Sequence, residues 1–265
     1  MKIEGARVLL TGAAGGIGSA LAEQLLQRGA TLALIGRNEA AMKSLIDNLG
    51  DSGGSFHASN TDLLDPAARK KSIAEARNLM GGVDILINCA GQSSFRPFPD
   101  EDPQALENII QLNLLTPMLL VRQLLPEMIE RGNGRIVNIG STFGSIGFGW
   151  FTAYSASKFG LRGFSEALRR ELDGTGVGVT YVAPRAVKTD LNSGAVYRMA
   201  EATGMNMDEP AWVAAKIVAA IAADAKDVYL GFPEKYFARL NSFLPRLVDA
   251  GLRKQNHLIE RFARR

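Results

Sequence analysis

Short apolar runs alternate with longer segments of helical period along the whole chain, and this alternation limits the folds that the sequence can adopt. The runs are apolar throughout, rather than at every second position, as expected for parallel strands buried on both faces. Such an alternation predicts a parallel sheet covered by helices on both sides. The predicted strands are residues 7–11, 31–35, 55–58, 85–88, 135–140, 177–183 and 228–230. The predicted helices are residues 16–27, 39–49, 65–80, 103–131, 153–173 and 210–223.

The 265 residues are enough for one large α/β domain with a sizeable core. No internal repeat or low-complexity linker divides them. We therefore expect residues 1–234 to form a single doubly wound domain of about seven parallel strands. Residues 235–265 follow this domain as an amphipathic extension.

The extension carries the basic charge of the chain. It contains eight Lys or Arg residues and two acidic residues, a net charge of +6, whereas the whole chain has +3. The remaining residues are therefore net negative, which argues against a nucleic-acid-binding core. The basic residues are Lys235, Arg239, Arg246, Arg253, Lys254, Arg261, Arg264 and Arg265.

Apolar residues of the extension recur at helical spacing, and the pattern breaks or begins afresh near Pro245. An amphipathic helix with a basic face can rest on an anionic membrane surface. The stronger alternative is that the extension packs on its own domain or on a partner subunit. The sequence leaves both open.

The single cysteine, Cys89, excludes an internal disulfide and suits a reducing compartment. The amino terminus has no signal-peptide pattern, and no run of about 18 uncharged apolar residues predicts a spanning helix. We therefore expect a cytoplasmic protein, with membrane association through the extension as the open alternative. The two histidines, His57 and His257, lie outside every motif, and no metal-ligand spacing appears, so no metal is expected.

The first predicted strand ends in a glycine-rich turn that leads directly into a helix. Residues 11–18 read Thr-Gly-Ala-Ala-Gly-Gly-Ile-Gly. Glycines at Gly12, Gly16 and Gly18 allow a tight turn and a close backbone approach, so that a pyrophosphate can sit at the positive end of the helix. The position of this turn, immediately after the first strand, predicts dinucleotide binding.

The end of the second strand distinguishes between the two nicotinamide nucleotides. A carboxylate there would bind the ribose 2′-hydroxyl of NAD, whereas an arginine accommodates the 2′-phosphate of NADP. The segment reads Leu-Ile-Gly-Arg-Asn over residues 34–38 and has no acid at this place. Arg37 can pair with a phosphate through its fork of donors, so NADP is favoured over NAD. The alternative is that Arg37 is a solvated loop residue.

A tyrosine and a lysine, Tyr154 and Lys158, lie four residues apart in a predicted helix. They therefore point from the same face, and a cation beside a phenol favours the phenolate. Ser141 lies thirteen residues upstream, directly after the fifth predicted strand. Asn113 lies inside an apolar helix, where an amide is unfavourable unless it has a partner. Taken singly, each residue has an ordinary structural explanation as well.

Together these motifs resemble the short-chain dehydrogenases/reductases, over essentially the whole chain up to about residue 231. The order and separations of the motifs agree with that family. They are Thr11-Gly12-x-x-x-Gly16-x-Gly18, Asn88-Cys89-Ala90-Gly91, Asn113, Ser141 and Tyr154-x-x-x-Lys158. The resemblance implies a Rossmann-like fold and an oxidoreductase that transfers hydride between a nicotinamide cofactor and a carbonyl or alcohol.

The resemblance also implies roles for individual residues. Tyr154 would be the general acid/base, and Lys158 would lower its pKa and hold the nicotinamide ribose. Ser141 would hydrogen-bond the substrate oxygen and stabilise developing charge. Asn113 would position a water that links Lys158 to solvent. The implied cofactor residues are Gly12, Gly16, Ile17, Gly18, Arg37, Asp62, Leu63, Asn88, Ala90, Tyr154, Lys158, Pro184, Val187 and Thr189.

Within that set, Asp62 and Leu63 would flank the adenine, and Thr189 would contact the nicotinamide carboxamide. The chain departs from the family at Arg185, where a glycine is usual after the proline. That change puts the local backbone path in doubt and could place a cation at the substrate mouth.

The family's substrate pocket is built in part from the loop between Ser141 and Tyr154, so the resemblance implies an apolar substrate from the aromatic and aliphatic residues there. They are Phe143, Ile146, Phe148, Trp150 and Phe151. The alternative is that some of them are core residues. Residues 191–207 contain Val196, Tyr197, Met199, Met205 and Met207 and resemble the mobile substrate lid of the family. Fatty-acyl thioesters, steroid-like ketones and other lipophilic carbonyls are the candidate substrates, and we expect a homodimer or homotetramer. The rival hypothesis is a sensor or scaffold that binds the nucleotide without significant catalysis.

Overall fold

The computed structural model describes residues 1–50 and 54–264. Seven parallel strands form one sheet in the order β3-β2-β1-β4-β5-β6-β7. The strands are β1 (Arg7–Thr11), β2 (Thr31–Gly36), β3 (Phe56–Asn60), β4 (Ile85–Asn88), β5 (Gly134–Ile139), β6 (Val177–Ala183) and β7 (Asp227–Tyr229). This is the predicted doubly wound sheet, and the predicted strand boundaries agree to within two residues.

Ten α-helices accompany the sheet in the described part of the chain. They are α1 (Gly16–Leu26), α2 (Glu39–Gly50), α3 (Pro66–Met80), α4 (Pro103–Ile110), α5 (Thr116–Glu130), α6 (Thr152–Glu171), α7 (Gly194–Thr203), α8 (Pro210–Ala222), α9 (Glu234–Phe243) and α10 (Pro245–Ala263). Two differences from the sequence prediction matter. The predicted helix 103–131 is divided by a π-helical turn at Gln111–Leu115, and the predicted lid contains the helix α7.

Local sequence explains where several of these helices begin. Asp65 precedes α3, and its carboxylate accepts hydrogen bonds from the amides of Ala67 and Ala68. Asp102 caps α4 in the same way through the amide of Ala105. Both helices have proline at their first position, where a missing amide proton costs nothing.

Strand β1 shows why its run is apolar at every position. Val8 and Leu10 pack into a core cluster with Leu21 and Leu25 of α1. Leu9, between them, packs into a second cluster on the other face, with residues of α5 and α6. All three strand residues are fully buried. The sheet is therefore covered on both faces, as the unbroken apolar run predicts.

The carboxyl ends of the strands meet at one edge of the sheet. The chain order reverses between β1 and β4, since the strands on one side of β1 are β2 and β3 and those on the other are β4 to β7. A crevice opens at such a switch point, outside the ends of the strands. The glycine turn after β1 and the loops after β4, β5 and β6 all lead into this crevice.

Helix α10 packs against α7 and against the aromatic segment that precedes α6. Its residues Ile259 and Val248 are buried, and Ile259 belongs to one cluster with Phe148, Tyr154 and Met199. The sequence prediction of a break near Pro245 is confirmed, because α9 ends at Phe243 and α10 begins at Pro245.

The continuous helical stretch Pro103–Glu130 is long and apolar enough, by composition, to cross a membrane. It spans 28 residues, and its 18-residue window has a mean hydropathy of 1.3, with 44% of that window buried inside the protein. Leu120 and Leu124 of this stretch pack into the core beneath the sheet. A core helix passes the same composition test, so the hydropathy alone is weak evidence of a span.

The packing of α10 generates a stability prediction. Replacing Ile259 by Ala removes a fully buried side chain from the cluster that joins α10 to the domain, so we expect the free energy of unfolding to fall by about 2–5 kcal/mol. Urea denaturation followed by circular dichroism measures this change. The matched variant Ile46→Ala, at a position 37% exposed on α2, should lose less than about 1 kcal/mol. Equal losses would contradict the docking of α10.

Candidate functional site

A cavity of about 950 Å³ lies at the carboxyl edge of the sheet. One part follows the turn after β1, the end of β2 and the loops after β3 and β4. The other part is lined by the aromatic segment before α6, by α7 and by α9 and α10. Tyr154, Lys158 and Ser141 line the cavity together with both sets of residues. Predicted cofactor contacts and predicted substrate contacts therefore share one space.

Gly12 shapes the turn after β1. Its φ is 68°, a conformation that favours glycine, and a Cβ there would lie 2.7 Å from the backbone of Ala90. The loops after β1 and β4 therefore approach each other more closely than a side chain allows. Thr11 joins the same two loops, because its hydroxyl accepts from the amides of Cys89 and Ala90.

Helix α1 begins at the cavity wall with three unused donors. The amides of Gly16, Ile17 and Gly18 have no acceptor elsewhere in residues 1–50 and 54–264. A Cβ at Gly16 would lie 2.6 Å from the Thr189 methyl group, so Thr189 covers the start of this helix. Gly16 and Thr189, two predicted cofactor contacts that lie far apart in the sequence, therefore meet at this point. Amides at a helix start form a binding site for a phosphate group.

Arg37 lies at the end of β2, exposed and on the wall of the cavity. No carboxylate of the described chain forms an ion pair with its guanidinium. The next residue, Asn38, caps α2, because its side-chain oxygen accepts a hydrogen bond from the amide of Ala41. The Arg37 side chain is therefore available to a ligand in the cavity.

The loop after β3 lines the same end of the cavity through Thr61, Asp62 and Leu63. The Asp62 carboxylate accepts from the amide of Leu64, which holds the loop, and Leu63 is buried against the sheet. This places both predicted adenine contacts beside Arg37. Their binding role stays a prediction.

Asn88 does not line the cavity, contrary to its predicted place among the cofactor contacts. Its side chain is 3% exposed and donates to Asn138 Oδ1 at 2.8 Å, inside the sheet. Asn138 in turn donates to Ser165 Oγ at 2.8 Å. Adjacent parallel strands place Asn88 and Asn138 side by side, and the amides pair there rather than reach the cavity. The neighbouring residue Ala90 does line the cavity.

Tyr154 and Lys158 lie on the buried face of α6, one turn apart, as predicted. Lys158 Nζ donates to the carbonyl of Ile139 at the end of β5 at 2.9 Å and lies 5.6 Å from the centre of the Tyr154 ring. The ammonium therefore lies over the ring and bonds to a backbone oxygen, with no bond to the phenol hydroxyl. Both side chains are at least nine-tenths buried.

Ser141 follows β5 and is held in place by Tyr181. The Tyr181 hydroxyl donates to the carbonyl of Ser141 and accepts from its amide, at 3.3 and 3.5 Å. Ser141 Oγ accepts from the amide of Phe143 at 3.1 Å. Because this bond uses a lone pair, the hydroxyl proton of Ser141 can be donated either to the Tyr154 hydroxyl or to a ligand in the cavity.

The pKa values at this site differ from the sequence expectation. Burial raises the pKa of Tyr154 to about 12, while a hydrogen bond with Ser141 lowers it. Burial lowers the pKa of Lys158 to about 8. Lys158 was expected to lower the pKa of Tyr154; burial is the largest effect on that pKa here, and the Lys158 ammonium bonds to the Ile139 carbonyl, so this role of Lys158 stays a prediction. Burial also raises the pKa of the Cys89 thiol to about 12, so Cys89 is neutral near pH 7.

Asn113 lies in the π-helical turn between α4 and α5 and is fully buried. Its amide nitrogen donates to the carbonyl of Gln92 and to Ser157 Oγ, and its oxygen accepts from the amide of Gln92. A π turn of this kind often marks a functional site. The predicted water relay stays a prediction, but the side-chain amide of Asn113 is already used to join the loop after β4 to α6.

The substrate side of the cavity is aromatic, as predicted. Phe143 and Phe148 stack with ring centres 4.6 Å apart, and Phe143 meets the Tyr154 ring edge-on at 6.4 Å. Phe151 stacks on Phe95, which the sequence prediction did not include. Trp150 does not line the cavity; it has a φ of 71°, and its buried indole nitrogen has no partner among the described residues.

The predicted lid contributes three residues to the cavity wall: Val196 and Met199 lie on α7, and Met205 follows that helix. Tyr197 and Met207 do not line the cavity. Helices α9 and α10 complete the wall, and no sequence motif indicated this part. The residues concerned are Glu234, Phe237, Leu240, Leu247, Val248, Gly251, Leu252 and Gln255.

Arg185 does not leave an unpaired cation at the cavity mouth. Its guanidinium forms a two-point ion pair with Asp208, at 2.8 and 3.0 Å, and a further one with Glu234 at 3.2 Å. These carboxylates raise the pKa of Arg185 further. The residue therefore fixes the loop after β6 to the start of α9. Pro184 and Val187, on either side, line the cavity as predicted.

The donor set of this cavity fits a nicotinamide dinucleotide. Gly12 and Gly16 form a backbone cradle that a Cβ would fill, the first amides of α1 are unused, and Arg37 is unpaired among the described residues. Every predicted cofactor residue except Asn88 lines the cavity. No cluster of three metal-ligating side chains occurs among the residues that the structure describes.

Comparison with known proteins identifies the family. The family model described as short chain dehydrogenase matches residues 6–199. The ketoacyl reductase HetN of Nostoc sp. is 37% identical over 182 residues, which are 69% of this chain and 63% of that protein. The 3-oxoacyl-[acyl-carrier-protein] reductase FabG of Escherichia coli is 36% identical over 191 residues, which are 72% of this chain and 77% of that protein. The match thus spans less than two thirds of HetN.

Solved structures agree with the fold. A short chain dehydrogenase/reductase from Burkholderia phymatum, in complex with NAD, has a TM-score of 0.85 at 22% identity and covers 93% of this chain and 96% of its own. A variant of actinorhodin polyketide ketoreductase with NADPH has a TM-score of 0.78 at 27% identity and covers 85% of this chain and 95% of its own. Relatives of this fold therefore include one bound to NAD and one bound to NADPH.

The lowered pKa of Lys158 predicts a pH-dependent stability. Its pKa falls from 10.5 to about 8 on folding, so between these values the unfolded chain binds more protons and the free energy of unfolding rises with pH. Relative to Lys158→Met, the wild type should therefore gain stability between about pH 8 and pH 10, on the order of 2–3 kcal/mol. Urea denaturation of both proteins across this range measures the difference. The exposed control Lys70→Met should show no such trend, and a flat wild-type difference would contradict the burial of a charged Lys158.

Proposed function

Because this chain belongs to the short-chain dehydrogenase/reductase family of oxidoreductases, we propose that it interconverts a ketone or aldehyde and the corresponding alcohol on an apolar substrate, with NADP(H) as cofactor. The observation that carries this proposal is the convergence of Ser141, Tyr154 and Lys158 where the nucleotide side and the aromatic side of one cavity meet. Reduction of a carbonyl group held between the two sides would need a proton donor at that point.

Tyr154 supplies the proton. Its pKa of about 12 keeps the phenol protonated near pH 7, so in the reducing direction it donates to the oxygen of the substrate carbonyl. In the oxidising direction the phenolate takes the proton of the alcohol. Its burial in an aromatic cluster excludes water from this exchange.

Ser141 stabilises the oxygen that becomes charged. The amide of Phe143 already donates to Ser141 Oγ, so the serine hydroxyl donates in turn to the substrate oxygen. Tyr181 holds both the amide and the carbonyl of Ser141, which fixes the direction of that donor before substrate arrives. A fixed donor aimed at developing charge lowers the barrier without reorganisation.

Lys158 supports both the proton transfer and the binding of the nucleotide. With a pKa of about 8 it is largely protonated near pH 7, and its position over the Tyr154 ring stabilises the phenolate that each turnover forms. The nicotinamide supplies the hydride when it is bound. The amides at the start of α1 would hold the pyrophosphate of the dinucleotide, and Lys158 would hold the hydroxyls of its nicotinamide ribose.

The preference for NADP rests on Arg37. The guanidinium lies on the cavity wall at the end of β2, and no described carboxylate neutralises it. A 2′-phosphate beside it would form an ion pair and two-point hydrogen bonds with the guanidinium, whereas the neutral 2′-hydroxyl of NAD would form no ion pair. An NAD-specific site would place a carboxylate there.

The apolar substrate class rests on the cavity wall. Phe143, Phe148 and Phe151 lie beside Tyr154, and α7, α9 and α10 add mostly apolar residues, among them Met199, Leu240 and Leu252. A 3-oxoacyl thioester with an extended chain suits such a space, and HetN and FabG are ketoacyl reductases by name. The rival function, a nucleotide-binding sensor, has no use for the prepared donors Ser141 and Tyr154.

One prediction from the proposed function concerns the proton donor. Replacing Tyr154 by Phe removes the hydroxyl and leaves the ring packing intact, so NADPH oxidation should fall by at least about 1,000-fold while NADPH still binds. The assay uses ketones and 3-oxoacyl thioesters of graded chain length, and fluorescence titration measures NADPH binding. We expect rates to rise with chain length.

A matched variant controls for the loss of a buried phenol. Tyr229 does not line the cavity, and in the described part of the chain its hydroxyl bonds only to Ser145 Oγ. The variant Tyr229→Phe should therefore keep its activity. Full activity in Tyr154→Phe would overturn the mechanism. No oxidation of NADPH with any carbonyl in the wild type would favour the sensor function.

The second prediction concerns the choice of nucleotide. Replacing Arg37 by Asp removes the proposed phosphate ligand and supplies a carboxylate for the ribose hydroxyl of NAD, so the Kd for NADPH should rise about 10- to 100-fold. The kcat/KM with NADPH divided by the kcat/KM with NADH measures the change in preference between the two nucleotides. The exposed arginine Arg122 on α5 gives the matched control Arg122→Asp, which should leave the ratio unchanged. The same ratio in Arg37→Asp and wild type would remove Arg37 from the nucleotide site.

A further inference from the structure

The junction of α9 and α10 exposes large apolar side chains to solvent. Phe243 is 83% exposed, Leu244 54% and Leu247 59%. We call these three residues the apolar corner. On the preceding helix Tyr236 lies seven residues before Phe243, on the same face, and its ring contacts that of Phe232, which is 71% exposed. Exposed apolar residues clustered in this way indicate an interaction surface.

Helix α10 carries a basic stripe along its outward face. Its inward face, which includes Val248, Leu252, Ile259 and Ala263, packs on the domain. The outward positions recur every three or four residues over a helix about 28 Å long. They are Arg246, Ala250, Arg253, His257, Arg261 and Arg264, all exposed.

Most of this positive charge is not neutralised within the protein. Arg264 forms an ion pair with Glu260 at 2.8 Å. Arg246, Arg253 and Arg261 form no ion pair with any carboxylate in the part of the chain that the structure describes. The exposed carboxylate of Asp249 lies on the same helix between Arg246 and Arg253. The stripe therefore presents a net positive charge beside the apolar corner, since Arg246 adjoins Leu247 in the chain.

The apolar corner is continuous with the cavity mouth. Leu247 belongs to the corner and also lines the cavity, and Phe237 of α9 is both 47% exposed and part of the cavity wall. Apolar side chains thus continue from the surface between α9 and α10 into the cavity wall, where Glu234 and Gln255 are the polar residues that these two helices contribute.

We propose that the apolar corner and the basic stripe dock on the surface of an anionic lipid bilayer. Phe243 and Leu244 insert among the acyl chains at the interface, and Arg246, Arg253 and Arg261 contact the lipid headgroups. The part of this proposal that concerns substrate rests on the proposed function: a lipophilic carbonyl compound enters the cavity directly from the bilayer. Docking itself does not depend on catalysis.

A second copy of the chain is the less suitable occupant of this surface. A two-fold interface would place the same patch against itself, so that the arginines of one stripe would face those of the other. Like charges across an interface cost several kcal/mol. An anionic bilayer instead matches both the charge of the stripe and the apolar character of the corner.

Vesicle flotation of the full chain tests the proposal. The probes are vesicles of phosphatidylcholine alone and vesicles of phosphatidylcholine with phosphatidylglycerol. We expect the protein to float with the anionic vesicles and not with the neutral ones, and to be released partly at about 1 M salt, where screening is strong. The oligomeric state without lipid is measured by size-exclusion chromatography with light scattering.

Two variants separate the contributions of charge and insertion. Arg246→Glu with Arg253→Glu reverses the stripe and should weaken the partition into anionic vesicles about 100-fold or more. Phe243→Ser removes the insertion and should weaken it about tenfold. The matched control on α3, Lys70→Glu with Lys71→Glu, makes the same charge change elsewhere and should have little effect. None of these side chains lines the cavity.

Several results would overturn the proposal. The first is that the wild type does not bind anionic vesicles. The second is that the stripe variant and the α3 control bind these vesicles equally. The third is that the wild type is a dimer which binds no vesicles and which Phe243→Ser converts to a monomer. Turnover of a short water-soluble ketone in lipid-free buffer is measured in parallel. If that turnover persists in the stripe variant while flotation is lost, docking is separated from catalysis. Loss of all turnover in the wild type with retained flotation would instead remove the proposed function alone.

Discussion

The parallel direction of seven strands is the constraint on which the whole site depends. Because every strand points the same way, the loops after β1, β4, β5 and β6 meet at one edge of the sheet. Burial on both faces holds the strands in register, as Val8, Leu9 and Leu10 show by packing alternately into the two core clusters. Ser141 and the glycine turn need no contact with each other, since the sheet places both at the cavity.

Motifs with a fixed spacing could be predicted from the sequence because their geometry is local. The turn after β1 follows from glycines that only a close backbone approach requires, and the shared face of Tyr154 and Lys158 follows from helical period. The fold class followed from unbroken apolar runs. For the same reason the break at Pro245 could be placed to within a residue or two.

Predictions failed where a side chain had a choice of partners that lie far away in the sequence. Asn88 is paired with Asn138 of the neighbouring strand and does not line the cavity, and Arg185 is bound by Asp208 and Glu234. Nothing local distinguishes these partners from solvent or a ligand. The same holds for Tyr181, whose hydroxyl fixes Ser141 although forty residues separate the two.

The wall that α9 and α10 contribute to the cavity lies beyond the part of the chain that the family model matches. The match to the family model ends at residue 199, whereas the wall includes Phe237, Leu247 and Leu252. The matched part thus includes Ser141, Tyr154, Lys158 and the glycine turn, and the residues after 230 close the other side of the same cavity. Substitutions in α9 and α10 can therefore reshape this cavity without altering any residue of the matched part.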